Sequence, residues 1–413
     1  MQRFRIPPSF ALVALLSLAP CLVIADDGQS LEQRISTLED QASKGNLISK
    51  LGSMFRLYGF LRVDAVYSDS KFNDTEVATR VLPEDGVNAR DDDDTFSLYP
   101  RLTRLGFEFD GPELEIGDLT GKLEIDFYAF DTSDSRDVIR MRHAYLKISH
   151  GPLEVLFGQT SDLIAPLYPS VNADVINWNV GNLGDRRPQV RATVSPELGD
   201  RSRLIVAGAI AVQGAIDGKD AVTTDGVLNG EDAGVPQLQG RVAFRTKVGE
   251  SSTAEVGVWG ARGWEEVDGD GVGDFNMIVY GLDLQVPVIP GLFSIMGEIW
   301  QGENLSDVRG GAGQGINATT LKEIRSRGGW IQGTLMLDGL GDLFVGYTVD
   351  DPRRRDVATP LGITRNAAAY VGANVKRWNP LVLGVEWMGW ETLYRGAADG
   401  DANRFRIFAM FKF

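Results

Sequence analysis

From Phe55 to the last residue, apolar and polar positions alternate with a period of two. The first run sets Leu57, Gly59, Leu61, Val63, Ala65 and Tyr67 on one face and Arg56, Tyr58, Phe60, Arg62, Asp64 and Val66 on the other. That period is the mark of a strand, whose successive side chains point to opposite faces. Leu105, Phe107 and Phe109 then alternate with Arg104, Glu108 and Asp110, and Leu123, Ile125 and Phe127 with Lys122, Glu124 and Asp126. One face is lipid-like while the other carries charge, which suits a membrane barrel around a wet lumen. A soluble sandwich also alternates, but it has no need of so many long strands with glycine on the apolar face. The alternation recurs near 139–148, 153–160, 188–195, 203–213, 237–248, 253–263, 275–286, 292–301, 329–338, 342–349, 368–377, 381–391 and 403–413, which makes sixteen strands. A sheet in lipid must close on itself, because an open edge leaves backbone groups unsatisfied there.

Connection lengths agree with this pattern. After even strands they are mostly short: 110–120, 149–151, 196–202, 249–252, 287–291, 339–341 and 378–380. After odd strands they are mostly long: 68–100, 161–187, 214–236, 302–328 and 350–367. Short periplasmic turns alternating with long external loops produce this rhythm, and an even strand number puts both barrel ends in the periplasm. The expected fold is all-β: a transmembrane antiparallel β-barrel of sixteen strands with a short N-terminal periplasmic helix. That helix rests on Leu31, Ile35, Leu38 and Ala42, a two-heptad coiled-coil seam, although so short a segment also reads as a linker.

Ahead of the seam, Arg3 and Arg5 precede the apolar run 10–24, which closes on the small residues Val23 and Ala25. This reads as a signal peptide with cleavage after Ala25. The run is too short for a comfortable helical span, and Pro20 makes Cys21 a poor lipobox. The expected domains are 1–25 signal peptide, 26–54 periplasmic helical segment and linker, and 55–413 barrel.

Net charge sharpens the picture. The formal value of −16 becomes about −18 without Arg3 and Arg5, so a nucleic-acid partner, which needs a basic surface, is not expected. Two histidines and a single cysteine, lost with the signal, give no basis for a metal site or a bound cofactor. An enzyme of the Ser–His–acid kind would have to use His143 or His150, and no Gly-x-Ser-x-Gly elbow occurs, so no catalytic residue is assigned. Acidic residues crowd the expected external loops, with Asp91–Asp94 and the stretch Asp268-Gly269-Asp270-Gly271-Val272-Gly273-Asp274 the densest. The latter lacks the final glutamate of an EF-hand and reads as an ordinary solvated loop, or one bridged by divalent ions to lipid headgroups.

The inward face carries the candidate chemistry. Its cations are Arg56, Arg62, Arg104, Lys122, Arg140, Arg142, Arg191, Arg241 and Arg245, with Arg187 at the base of the loop 161–187. Its acids include Asp64, Glu108, Glu124, Asp126 and Glu154. Either these charges neutralise one another, or a basic strip faces acids across a constriction and favours anions. On strict alternation, inward Arg140 and Arg142 would put His143 and Tyr145 outward. Two functional classes stay open: a diffusion channel, and a structural or adhesive barrel that transports little.

At its C-terminus the chain runs Arg406–Phe413, with Phe405, Ile407, Ala409, Phe411 and Phe413 on the lipid face. This stretch resembles the barrel-assembly signal of the trimeric porins of Gram-negative outer membranes. More narrowly, the chain is similar to the DcaP-like porins. The likeness rests on the heptad segment 31–42, Tyr58-Gly59-Phe60-Leu61-Arg62-Val63-Asp64, Arg142-His143-Ala144-Tyr145-Leu146, Phe157-Gly158-Gln159-Thr160 and Arg186-Arg187-Pro188-Gln189-Val190-Arg191. The resemblance implies a homotrimer in the cell outer membrane, with outer-membrane lipid and lipopolysaccharide around it and the barrel-assembly machinery reading Phe413. It further implies a preference for small anionic solutes such as dicarboxylates.

Overall fold

The computed structural model describes residues 54–84, 93–129, 138–214, 233–250, 252–266 and 275–413. The expected signal peptide, the heptad seam and the Asp268–Asp274 stretch lie outside these residues, as do Asp91 and Asp92.

Sixteen antiparallel strands form one closed barrel. In chain order they are β1 (Phe55–Ser68), β2 (Thr95–Tyr99 and Arg104–Leu114), β3 (Gly117–Ala129), β4 (Val138–His150), β5 (Leu153–Ser161), β6 (Arg186–Val194), β7 (Ser202–Ala211) and β8 (Gln237–Val248). There follow β9 (Ser252–Glu265), β10 (Phe275–Ile289), β11 (Phe293–Glu303), β12 (Arg325–Leu337), β13 (Gly341–Pro352), β14 (Gly362–Trp378), β15 (Leu381–Arg395) and β16 (Gly400–Lys412). Each strand pairs with its neighbour in sequence, and β1 meets β16 in the register Phe60↔Lys412 to Ser68↔Arg404. Phe413 and Gly59 exchange both backbone hydrogen bonds at 3.1 Å, so the ladder stays paired beyond the end of β16.

Parity follows the sequence. Leu61, Val63, Phe107, Leu123, Phe157, Val190, Ile299, Val345 and Ile407 are exposed on the outer face, a belt no water-soluble protein would leave uncovered. The even-to-odd connections shrink to tight turns such as 115–116, 151–152 and 379–380. The first of these corrects the expected break at 110–120: β2 and β3 continue through an irregularity near Gly111 and Pro112 to the pair Leu114↔Gly117.

Two departures from plain alternation shape the interior. Strand β2 breaks at Pro100, which has no N–H to give the ladder. The break turns Arg101 inward, where it is fully buried against Glu76 and Asp174. Strand β4 carries a β-bulge: Glu124 pairs with His143 and Ile125 with Met141, so Arg142 is the extra residue. The bulge puts Arg140, Arg142, His143 and Tyr145 all on the inner face. That corrects the expectation that inward arginines force His143 and Tyr145 outward.

The interior is not polar throughout. The described part of the loop after β1 brings Phe72, Ala78 and Val81 against Phe344, Tyr370, Met388 and Trp390 of the wall. The loop 162–185 and the loop 304–324 bring Ile164, Leu183, Leu305 and Val308 against Trp259, Met277 and Trp300. These contacts form an apolar core between the inward loops and the β9–β16 side of the barrel.

Candidate functional site

The long loop after β5 enters the barrel and is pinned along the wall by backbone groups. Leu163 N donates to Gln239 Oε1 of β8 at 2.7 Å, Leu167 N to Glu298 Oε1 of β11 at 2.8 Å and Ser170 N to Gln332 Oε1 of β12 at 2.8 Å. Asn172 N donates to Glu386 Oε2 of β15 at 3.2 Å. On the return path Trp300 Nε1 donates to Gly181 O at 2.6 Å, and Asn366 Nδ2 to Asn179 O at 2.7 Å. Asp174 closes the far end on Arg406 and Arg101. Asn172, Asn177 and Asn179 take left-handed backbone conformations, which asparagine tolerates better than most residues, and this lets the loop fold compactly.

The base of the loop is a buried ion-pair hub. Arg187 is fully buried, with Nε 2.8 Å from Asp162 and Nη1 2.7 Å from Asp307. The structure therefore removes Arg187 from the expected pore lining and makes it an anchor between two inward loops. Beside it, Arg309 holds Asp185 at 2.8 Å. Burial alone would raise the Asp185 carboxyl, but Arg309 and Arg186 outweigh it and hold the group below the ordinary carboxylate value.

The backbone bonds of the loop run to β8 and to strands from β11 onward, while Asp174 also binds Tyr99 and Arg101 at the β2 break. Apart from these two and Arg187, the inward side chains of β2 to β6 face the lumen, and here the arginines gather. Glu124 accepts Arg142 Nε at 2.6 Å and Tyr58 Oη at 2.7 Å. Arg104 lies 3.5 Å and Lys122 3.6 Å from the same carboxylate. Asp126 takes Arg140 at 2.9 and 2.7 Å and Arg142 at 2.7 Å. Among the described residues, Arg186 pairs with its neighbour Asp185, at 3.5 Å, which it shares with Arg309. Arg191 donates to neutral oxygens, those of Gln189 and Ser161. Arg104, Arg140, Arg142, Arg186 and Lys122 thus share Glu124, Asp126 and Asp185, with Glu108 a further 4.0 Å from Lys122, and Arg140 has a further interaction besides. With Arg191 on neutral oxygens, cations outnumber carboxylates along this arc among the described residues. Tyr145 and Tyr168 add hydroxyl-bearing rings, and His143 Nδ1 sits 3.0 Å from Thr160 Oγ1. Gly158, at φ +126°, allows β5 to lie against the bulge; a Cβ there would run into Ala144 O.

The remaining expected site residues face inward but are neutralised. Arg62 and Asp64 form a buried bidentate pair at 2.8 and 2.7 Å, with Arg62 stacked on Phe408 at 3.8 Å. Arg241 is held by Asp283 and Glu255. Arg245 shares Glu255, and Arg56 pairs with Glu108, both arginines being exposed near the turn end of the barrel. Sequence reasoning left out Arg186, His143, Tyr145, Tyr58 and Tyr168 as site residues. The Arg-x-Arg-His-x-Tyr spacing of 140–145, too crowded with polar groups for one alternating face, was the signal for the bulge.

A closed sixteen-stranded barrel with its third loop-end connection, the one after β5, folded inward is the architecture of the outer-membrane porins. Solved structures of that class superpose on the chain. The outer-membrane channel DcaP of Acinetobacter baumannii does so with a TM-score of 0.66 at 19% identity, over 87% of this chain and 97% of that one. The anion-selective porin from Comamonas acidovorans gives 0.58 at 13%, over 87% and 99%. OprB of Pseudomonas putida gives 0.53 at 11%, over 90% and 97%. No protein-family model and no curated protein matches the chain. At these identities the likeness establishes the fold, that of a multi-pass outer-membrane barrel.

Proposed function

We propose that the chain is an outer-membrane diffusion channel for small hydrophilic solutes, favouring anions that carry one or two carboxylates. One observation carries the reading: the backbone groups of the inward loop are fastened to β8 and to β11–β15, while the arc on β2 to β6 holds Arg104, Arg142, Arg186 and Arg191, which among the described residues outnumber Glu124, Asp126 and Asp185 beside them. The external loops are acidic, but screening in water limits their reach to about 10 Å at moderate salt. Arginines lining a narrow path act at contact range, and the guanidinium fork matches a carboxylate. The name of the Comamonas acidovorans protein, anion-selective, agrees with this assignment.

The test is the reversal potential of the purified protein in planar bilayers under a salt gradient. Discrete conductance steps with anion preference are expected. A silent barrel would favour the structural or adhesive alternative, and cation preference would overturn the selectivity. We further propose that the channel is a homotrimer and that Phe413 belongs to its assembly signal. Light scattering of the detergent-extracted protein should return three copies, and a monomeric mass defeats that part.

A further inference from the structure

Between the buried hub at Arg187 and the open arc at Arg191 stands Gln189, a buried residue on the inner face of β6. Its Oε1 accepts both Nε and Nη2 of Arg191, at 3.0 and 2.8 Å. Its Nε2 donates to the carbonyls of Thr160, Ser161 and Arg187 at 3.0, 3.2 and 3.3 Å. Arg191 Nη2 donates to Ser161 O as well. This network fixes which end of the amide is oxygen. Turned over, the amide nitrogen would face a guanidinium and the oxygen three carbonyls, and both contacts repel.

Strand β1 holds the same fork with a different partner. Arg62 and Asp64 also stand two apart on one inner face, and Arg62 gives Nε and Nη2 to the Asp64 carboxylate at 2.8 and 2.7 Å. That arginine is held and neutralised by one group. At Arg191 the amide supplies the same two-point hold without a charge. A glutamate at 189 would set its second oxygen against the three carbonyls that Nε2 now satisfies, which costs free energy. Asp162, the residue after Ser161, is already committed to Arg187 Nε at 2.8 Å, Gln239 Nε2 at 2.7 Å and Asp185 N at 2.9 Å. Among the described residues Arg191 Nη1 takes no acceptor. The arginine is only half-buried, so this edge is open to the lumen.

We propose that Gln189 is a positioning residue for solute binding: it presents Arg191 Nη1 to a passing carboxylate in one fixed orientation and leaves the positive charge uncompensated. The assignment rests on the anion-channel reading above. A guanidinium already held gives up little rotamer freedom to the solute. Without Gln189 the same charge would stay in the lumen but sweep many orientations. Strength of solute binding then suffers more than charge selectivity.

The test uses the purified full-length protein in planar bilayers and reads two quantities. One is the chloride-to-potassium permeability ratio from the reversal potential; the other is the glutarate concentration that halves the chloride current. Gln189→Leu keeps the size of the side chain and the charge of the arc. It should raise the half-blocking concentration about fivefold or more while changing the permeability ratio less than about twofold. Arg191→Gln should move both. In the double variant Gln189→Leu/Arg191→Gln, glutarate should block as in Arg191→Gln alone, because Gln189 acts only through Arg191. Gln189→Glu covers the case in which Gln189→Leu fails to insert: its carboxylate pairs with Arg191, so block and anion preference should both weaken. Additive effects in the double variant, an undiminished block in Gln189→Leu, or a permeability ratio that falls there as far as the block overturns the proposal. So does a Gln189→Glu channel that behaves as wild type, or an anion-selective wild type that glutarate fails to block. A wild type that is silent or prefers cations defeats the channel reading beneath it instead.

Discussion

Arg191→Gln is the cleanest probe of the basic arc. Its guanidinium donates to Gln189 Oε1 and Ser161 O, so the substitution strands no carboxylate named above and lowers the charge of the arc by one unit. A solute passing about 5 Å away in water feels that unit as about 0.8 kcal/mol. Salt at about 0.1 M, with a Debye length of about 10 Å, reduces it to about 0.5 kcal/mol. Anion occupancy then falls about twofold and cation occupancy rises by the same factor, so the permeability ratio drops about fivefold. At about 1 M salt, where the Debye length is about 3 Å, the drop should shrink below about twofold. Reversal potentials of wild type and variant, measured at both salt levels, give these ratios directly. An unchanged ratio at low salt, or a change of equal size at both, refutes the idea that surplus charge at the arc sets selectivity.

Arg187→Ala should leave the barrel closed, because the strand ladder does not need it, but should free the loop base at a cost of about 3–5 kcal/mol as Asp162 and Asp307 lose their buried partner. Larger and noisier single-channel currents are expected, and an unaltered trace would show that the loop is held elsewhere. Asp185 titrates below its ordinary 3.8, since Arg309 and Arg186 outweigh burial. Its clasp on Arg309 therefore contributes fully above that value and fades only as pH falls through the lower folded one. Current noise should stay flat down to pH 3.8 and rise below it, with Asp185→Asn noisy already at neutral pH; a rise in wild-type noise between pH 7 and 5 contradicts the assignment. Phe413→Ala should reduce the amount of heat-modifiable protein in the outer membrane well beyond what loss of one exposed ring implies, and normal levels would remove Phe413 from the assembly signal.

The barrel was legible in the sequence because the determinant is local. A strand in a closed membrane sheet meets lipid on one side and the interior on the other, so a period of two in the residues themselves states which face is which. Arg56, Arg62, Arg104, Arg191, Arg241 and Arg245 all point inward as their parity requires. The alternation of turns and loops likewise needs no knowledge of distant contacts.

What those inward groups do was not legible, because it depends on residues far away in the chain. Arg187 and Arg191 sit four apart on the inner face of β6. Yet one is sealed by Asp307, 120 residues onward, while the other donates to neutral oxygens beside the lumen. Arg62 and Asp64 read as an open pair of pore charges until Phe408 and Arg406 from the closing strand cover them. The bulge at Arg142 is a misfit of register between β3 and β4; the crowded polar spacing of 140–145 hints at it, but only the pairing with β3 places the extra residue. The path of loop 162–185 is set by backbone N–H groups meeting Gln239, Glu298, Gln332 and Glu386 across the barrel. Alternation along a strand tells each side chain which way to face; only closure of the barrel around its own loops decides which charges are neutralised and which remain for a passing solute.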